Sequence, residues 1–160
     1  MSWGQVMVGV FLCSYAVWIA SVAFVPAGDW TKAPEWAGKL SVNLVPFRTI
    51  VNTFHIYWKQ VVRQLGGNLL LFAPFTFLLP AFWARYRSWR AALALGVCGS
   101  VFIESVQLLL SLAVGHPYRS VDVDDVILNT AGAALGYVLW LMVRRAARLD
   151  QLHEALDRLE

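Results

Sequence analysis

Charged residues divide the chain into four apolar stretches. Val6 to Val25 carries no charge, and Asn68 to Ala84, shorter but also uncharged, stops at Arg85. Ala91 to Val114 holds one carboxylate, Glu104, and Val126 to Val143 runs uncharged to Arg144 and Arg145. Crossing about 30 Å of hydrocarbon at about 1.5 Å per residue takes roughly 20 apolar residues. The pattern therefore predicts four transmembrane helices. Pro74 and Pro80 fall in the second span. Neighbours in a bilayer can satisfy the carbonyls that proline frees, so a kink is expected there, with a partly re-entrant course as the alternative.

Two further periodicities lie outside the spans. Ile50, Phe54, Tyr57, Val61 and Leu65 recur at spacings of three and four, with Arg48, Lys59 and Arg63 off that stripe and Trp58 beside it. An apolar face edged by aromatic and basic residues predicts an amphipathic helix over Ile50–Leu65, lying in the membrane interface. It would serve either as a platform at lipid headgroups or as a cover for the end of the bundle. After Arg148 the chain turns polar, with Leu149, Leu152, Leu156 and Leu159 at heptad-like intervals. Two heptads are short for a coiled coil. The expected organisation is a four-helix transmembrane domain over residues 1–148 and a polar helical extension over 149–160, with homo-oligomerisation through that extension an open option.

Composition agrees. Of 160 residues, 59% are hydrophobic and only 14% charged, against roughly a quarter charged in soluble domains. Intrinsic disorder needs the opposite composition. A net charge of +3, dispersed along the chain, does not describe a nucleic-acid binder. Cys13 and Cys98 sit in apolar runs and read as small buried hydrophobes. The fold class is an all-α membrane protein.

Arginine density sets the expected sidedness. Arg85, Arg87 and Arg90 crowd the turn after the second span, and Arg144, Arg145 and Arg148 follow the fourth. The positive-inside rule then puts both termini in the cytoplasm. The first loop carries Lys32, Lys39, Arg48, Lys59 and Arg63, but spread thinly. Val25 and Ala27 resemble a signal-cleavage site. Yet no Lys or Arg precedes the first span, and its apolar run exceeds the usual 7–15 residues or so. An uncleaved anchor is expected.

The residues that lipid should exclude carry the candidate chemistry. Glu104 lies about 15 Å below the end of its helix at Val114, near mid-bilayer, where a carboxylate costs at least about 2.5–3.5 kcal/mol. It must face the protein interior, be paired, or be protonated. Gln107, Gly96, Ser100 and Ser111 share its face. Asn129, Gly132 and Gly136 line one face of the fourth span, a surface expected to meet the Glu104 helix closely. Just before that span runs Arg119-Ser120-Val121-Asp122-Val123-Asp124-Asp125. Asp124 or Asp125 is expected to cap the helix and Arg119 to pair with Asp122. A divalent metal on Asp122 and Asp125 is a weaker option, because the EF-hand spacing is absent. Asn43, Pro46-Phe47 and Asn68 lie on the same membrane face, which makes a polar cleft open to the exterior the expected site. No G-x-S-x-G or H-E-x-x-H occurs, and His55, His116 and His153 form no ligand spacing.

These residues resemble the VanZ-like family of small bacterial membrane proteins. The resemblance rests on Asn43-Leu44-Val45-Pro46-Phe47, Asn68-Leu69-Leu70-Leu71-Phe72-Ala73-Pro74-Phe75, Glu104-Ser105-Val106-Gln107 and, most specifically, the block from Arg119 to Ala133. Thr76 stands where members often have Gly. The resemblance implies a multi-pass protein of the bacterial plasma membrane, and a link to low-level resistance to teicoplanin, a lipoglycopeptide. The ligand-binding candidates are Asn43, Asn68, Glu104, Gln107, Arg119, Asp122, Asp125 and Asn129. The leading expectation is a binding module for a lipid-linked glycoconjugate or lipoglycopeptide, with membrane lipids as surroundings and no cofactor. The alternative is an enzyme acting on a lipid phosphate or glycolipid with Glu104 as general acid or base. Proton-coupled transport by an oligomer, and plain hydrogen-bonding between helices, also stay open.

Overall fold

The computed structural model describes residues 3–24, 42–55, 58–115 and 120–157. In chain order the elements are α1 (Trp3–Phe24), β1 (Val42–Asn43), α2 (Arg48–Phe54), α3 (Trp58–Val61), α4 (Gly67–Phe82), α5 (Trp89–Val114), β2 (Val121–Asp122) and α6 (Val123–Asp157). Four helical stretches are long and apolar enough to span a membrane: Trp3–Phe24, Val62–Phe82, Trp89–Val114 and Val123–Leu149. The expected all-α bundle of four spans forms. Each span begins a few residues earlier than hydropathy places it, because helical hydrogen bonding continues into the polar flanks.

The proposed interfacial stripe divides. Residues 48–54 form the short helix α2, whereas α3 runs through a π-helical turn at Val62–Gly66 directly into α4. Lys59 and Arg63 therefore belong to the approach to the second span. Tyr57 of the stripe lies outside the described residues. At the other terminus α6 continues from the membrane segment to Asp157 without a break. The side chains of Leu152, Leu156 and Leu159 are outside the described set, as are Val25 and Ala27.

Both prolines of the second span lie inside α4, which remains one helix. Pro74 has no N–H, so the Leu70 carbonyl one turn earlier loses its partner. The Tyr15 hydroxyl of α1 donates to that carbonyl at 2.8 Å. This is how a neighbouring helix repairs a proline site in lipid. Tyr15→Phe is expected to lower the thermal stability of the detergent-solubilised protein by about 1 kcal/mol. An unchanged melting temperature would show that the carbonyl finds another donor.

α6 is the central helix, packed chiefly on α4 and α5, with α1 at the periphery. Its small residues let two neighbours in. A Cβ at Gly132 would overlap the Leu69 carbonyl, and one at Gly136 would overlap the Ala73 carbonyl and the Thr76 hydroxyl. The Gly132–Gly136 pair thus docks on α4, not on the Glu104 helix as its spacing suggested. α5 approaches α6 through its own Gly96, where a Cβ would lie 2.8 Å from that of Ala133 and 3.0 Å from the Thr130 Cα. Phe72, Ile103, Ala133 and Ala23 close the core between the helices. Cys13 and Cys98 are free and exposed on the bundle's outer surface, not buried.

Candidate functional site

At the end of the bundle that carries the first and third loops, polar side chains from four segments join. β1 and β2 pair in parallel, Val42 with Val121 and Asn43 with Asp122. This two-residue ladder ties the first loop to the start of α6. The Asn43 amide extends it sideways, donating to Asp122 Oδ1 at 2.9 Å and to Thr49 Oγ1 at 3.1 Å. Thr49 Oγ1 in turn donates to Asp122 Oδ2 at 2.5 Å. The Asn43 carbonyl oxygen accepts the Val45 N–H at 3.2 Å, an Asx turn that directs the chain into Pro46-Phe47. Every polar atom of the Asn43 side chain is engaged.

Asp122 is the N-cap of α6, its Oδ1 accepting the Asp124 N–H at 2.9 Å. That role had been assigned from sequence to Asp124 or Asp125. The N-cap position suits Asp because one carboxylate oxygen satisfies an amide that the first helical turn leaves unpaired. Asp124, fully buried, instead caps a different helix. Its Oδ1 accepts the Phe47 N–H at 2.5 Å, and its Oδ2 accepts the N–H groups of Thr49 and Ile50 at 2.7 and 3.1 Å. Phe47 lies in the left-handed region, at φ 66° and ψ 0°, which costs a non-glycine residue roughly 1–2 kcal/mol. The bond from its N–H to Asp124 holds it there.

Glu104 joins the same layer from α5. Buried, it accepts the Asp122 N–H on Oε2 at 3.0 Å. Counted along α5 it is about 22 Å from Trp89 and about 15 Å from Val114, and two neighbouring helices, α1 and α6, have their ends near its level. α6 starts one residue after Asp122, and Gln107, one turn above Glu104, donates to the Ala23 carbonyl at 3.1 Å, next to the end of α1. Glu104 and Gln107 therefore belong to the layer where the bundle ends, and the last turns of α5 project beyond it. The carboxylate gains a backbone donor there, the Asp122 N–H.

The remaining candidates separate from this cluster. Asn68, at the start of α4, donates to Asp125 Oδ1 in a short hydrogen bond. Asn129 sits deeper in the bundle, its amide donating to Ser100 Oγ at 2.8 Å. Its Oδ1 is buried and has no partner. Arg119 lies outside the described residues, so its expected pairing with Asp122 does too. The oxygens of Asp122 are occupied by N–H and O–H donors, and among the described residues no group of three or more His, Cys, Asp or Glu is placed to hold a metal.

Sequence reasoning missed Thr49 and the true role of Asp124. Asp124 stands within a block singled out for other residues, whereas Thr49 falls between Asn43–Phe47 and Ile50–Leu65, and nothing in the spacing shows the bonds that join them. The surface over this layer exposes several apolar side chains beside Arg48 and Asn52. Leu44 is 73% exposed and Phe54 64%, and Val45, Phe47, Val51 and Trp58 are exposed as well.

The family model described as VanZ/LLP1 matches residues 10–144. That covers most of the sequence, so the chain belongs to the VanZ/LLP1 family and is a multi-pass membrane protein. No curated protein and no solved structure matches it.

Proposed function

We propose that this VanZ/LLP1 protein is a binding protein for an envelope amphiphile, a lipid-linked glycoconjugate or a lipoglycopeptide, received at the end of the bundle formed by the first and third loops. One observation carries the reading. The segment from Leu44 to Phe54, which exposes Leu44, Val45, Phe47, Val51 and Phe54, is pinned over a polar layer by Asp122 and Asp124. An amphiphile needs both kinds of group side by side: the exposed apolar side chains for its acyl chain, and Arg119, three residues before Asp122 in the sequence, for its anionic head. With arginine-dense segments at the opposite end, the positive-inside rule puts this end outside the cytoplasm and both termini inside. Such an end is reachable by a lipoglycopeptide arriving from the exterior.

The test uses the full-length protein reconstituted in vesicles, with teicoplanin and the acyl-chain-free vancomycin as probes. Saturable binding of teicoplanin is expected, at least tenfold tighter than vancomycin, and weakened severalfold by Val51→Ser combined with Phe54→Ser. Equal binding of both glycopeptides, or none, overturns the reading.

Glu104 serves here as a positioning acceptor for the Asp122 N–H. Glu104→Gln retains an acceptor at that place and Glu104→Ala removes it. Melting temperatures are expected to fall in the order wild type, Gln, Ala, the last by about 1–3 kcal/mol of stability. Teicoplanin binding by the folded Gln variant should stay within about twofold of wild type. A lipid-modifying turnover in wild type that Glu104→Gln abolishes would replace this reading with the enzymatic one.

A further inference from the structure

At the opposite end of the bundle, we infer that the last membrane turns of α6 form a binding site for an anionic phospholipid. A groove of about 490 Å³ there is lined by Val138, Leu141, Met142, Arg144, Arg145 and Arg148. Its chemistry changes along the helix axis. Val138, Leu141 and Met142 lie toward the bundle, and the three arginines follow one to two turns beyond. A phospholipid has the same order of parts, an acyl chain at hydrocarbon depth and a phosphate at the surface.

The register of the helices fixes that order. The Tyr137 hydroxyl donates to the Arg87 carbonyl in the turn between α4 and α5 at 2.9 Å. Residues after Tyr137 therefore begin at the bundle's edge, and Arg145 and Arg148 lie roughly 12–17 Å farther along α6. The arginines therefore lie farther from the bundle than Val138, Leu141 and Met142, in the order of a phosphate and its acyl chain. Arg144 is set over the Trp140 ring at 5.2 Å, and Trp140 in turn packs at a tilt against Tyr137.

The charge calls for an anion. Arg144, Arg145 and Arg148 form no ion pair among the described residues. At spacings of three and four on one helix they repel one another. No Asp or Glu occurs between Val126 and Leu149, and the first that follows, Asp150, sets one negative charge against three positive ones. A phosphodiester accepts bidentate hydrogen bonds from guanidinium groups, and the apolar wall beneath takes the attached chain. A zwitterionic lipid carries its own cation, which this cluster would oppose.

The experiment measures lipid binding to the full-length protein in detergent by native mass spectrometry, titrating phosphatidylglycerol, phosphatidylcholine of the same chain length, and glycerol 3-phosphate. Phosphatidylglycerol is expected to bind at least tenfold more tightly than phosphatidylcholine, and glycerol 3-phosphate alone should not displace it. Arg145→Gln with Arg148→Gln should weaken phosphatidylglycerol about 25-fold, roughly fivefold for each basic residue at an anionic lipid surface. Should that variant fail to fold, the wild type decides: its phosphatidylglycerol affinity should fall steeply between low and physiological salt. Equal binding of the two lipids, full displacement by glycerol 3-phosphate, insensitivity to the arginine changes, or insensitivity to salt would each overturn the site.

Discussion

Asp124→Ala is expected to destabilise the protein by about 3 kcal/mol and to release α2 from the bundle. The carboxylate is fully buried and accepts three backbone N–H groups, those of Phe47, Thr49 and Ile50. Each donor left unsatisfied costs about 1–3 kcal/mol when it stays buried, and part of that sum is recovered when α2 frays into contact with water. Phe47, no longer held in the left-handed region, is then free to relax. Asp124→Asn should be nearly as damaging. Its amide nitrogen would face either the Phe47 N–H or those of Thr49 and Ile50, donor against donor. Asp122→Asn offers the contrast. Its remaining oxygen still accepts from Asn43 and Asp124, and its new amide can donate to the Thr49 hydroxyl, which rotates. A loss below about 1 kcal/mol is expected. Thermal unfolding in detergent gives the ranking, and hydrogen exchange over residues 47–50 reports whether α2 has been freed. If Asp122→Asn proved the more harmful of the two asparagine variants, the capping assignment would be wrong.

The contrast between these neighbouring aspartates shows where sequence reading stops. The spans were legible because a helix in lipid must bring its own run of apolar side chains while satisfying its backbone internally. The polar clusters were legible for the same reason, since lipid excludes them. What they bond to was not. Asp124 reaches residues 47–50, and no local periodicity links positions that distant. Glu104 is sheltered, as an acid within an apolar span must be, but counting along its own helix does not show that α6 begins beside it and offers the Asp122 N–H. The Ile50–Leu65 stripe had a consistent helical period yet divides between two helices, because periodicity records a face and is blind to a change of axis. Gly132 and Gly136 announced a close approach without saying which helix makes it. The family blocks converge: Asn43 to Phe47, Glu104, and Asp122 to Asp125 meet in one hydrogen-bonded layer, with Asn68 bonded to Asp125 at its side.

The largest loss is expected from Gly132→Leu, which should prevent the fold altogether. A Cβ there falls on the backbone of α4, 2.7 Å from the Leu69 carbonyl carbon and 2.9 Å from its Cα. Backbone atoms inside a helix cannot turn aside as a side chain can, so α4 and α6 must separate. That contact is the main one in the bundle, and Gly136 makes the same kind of approach one turn later, at Ala73. Association in lipid depends on such close packing, because the surrounding chains are as apolar as the helices themselves. Even Gly132→Ala should cost about 1–3 kcal/mol, the range for overpacking. Gly99→Ala tests the distinction. Its Cβ would meet the ring edge of Phe72 at 2.5 Å, and a side chain can shift, so a smaller loss is expected. Gly9→Ala completes the series: nothing lies within 4 Å of a Cβ there, and replacing a helical glycine by alanine should gain up to about 1 kcal/mol. Melting temperatures in detergent should rank Gly9→Ala, wild type, Gly99→Ala and Gly132→Ala in descending order. A Gly132→Ala protein as stable as wild type would mean that α4 and α6 do not cross at this glycine.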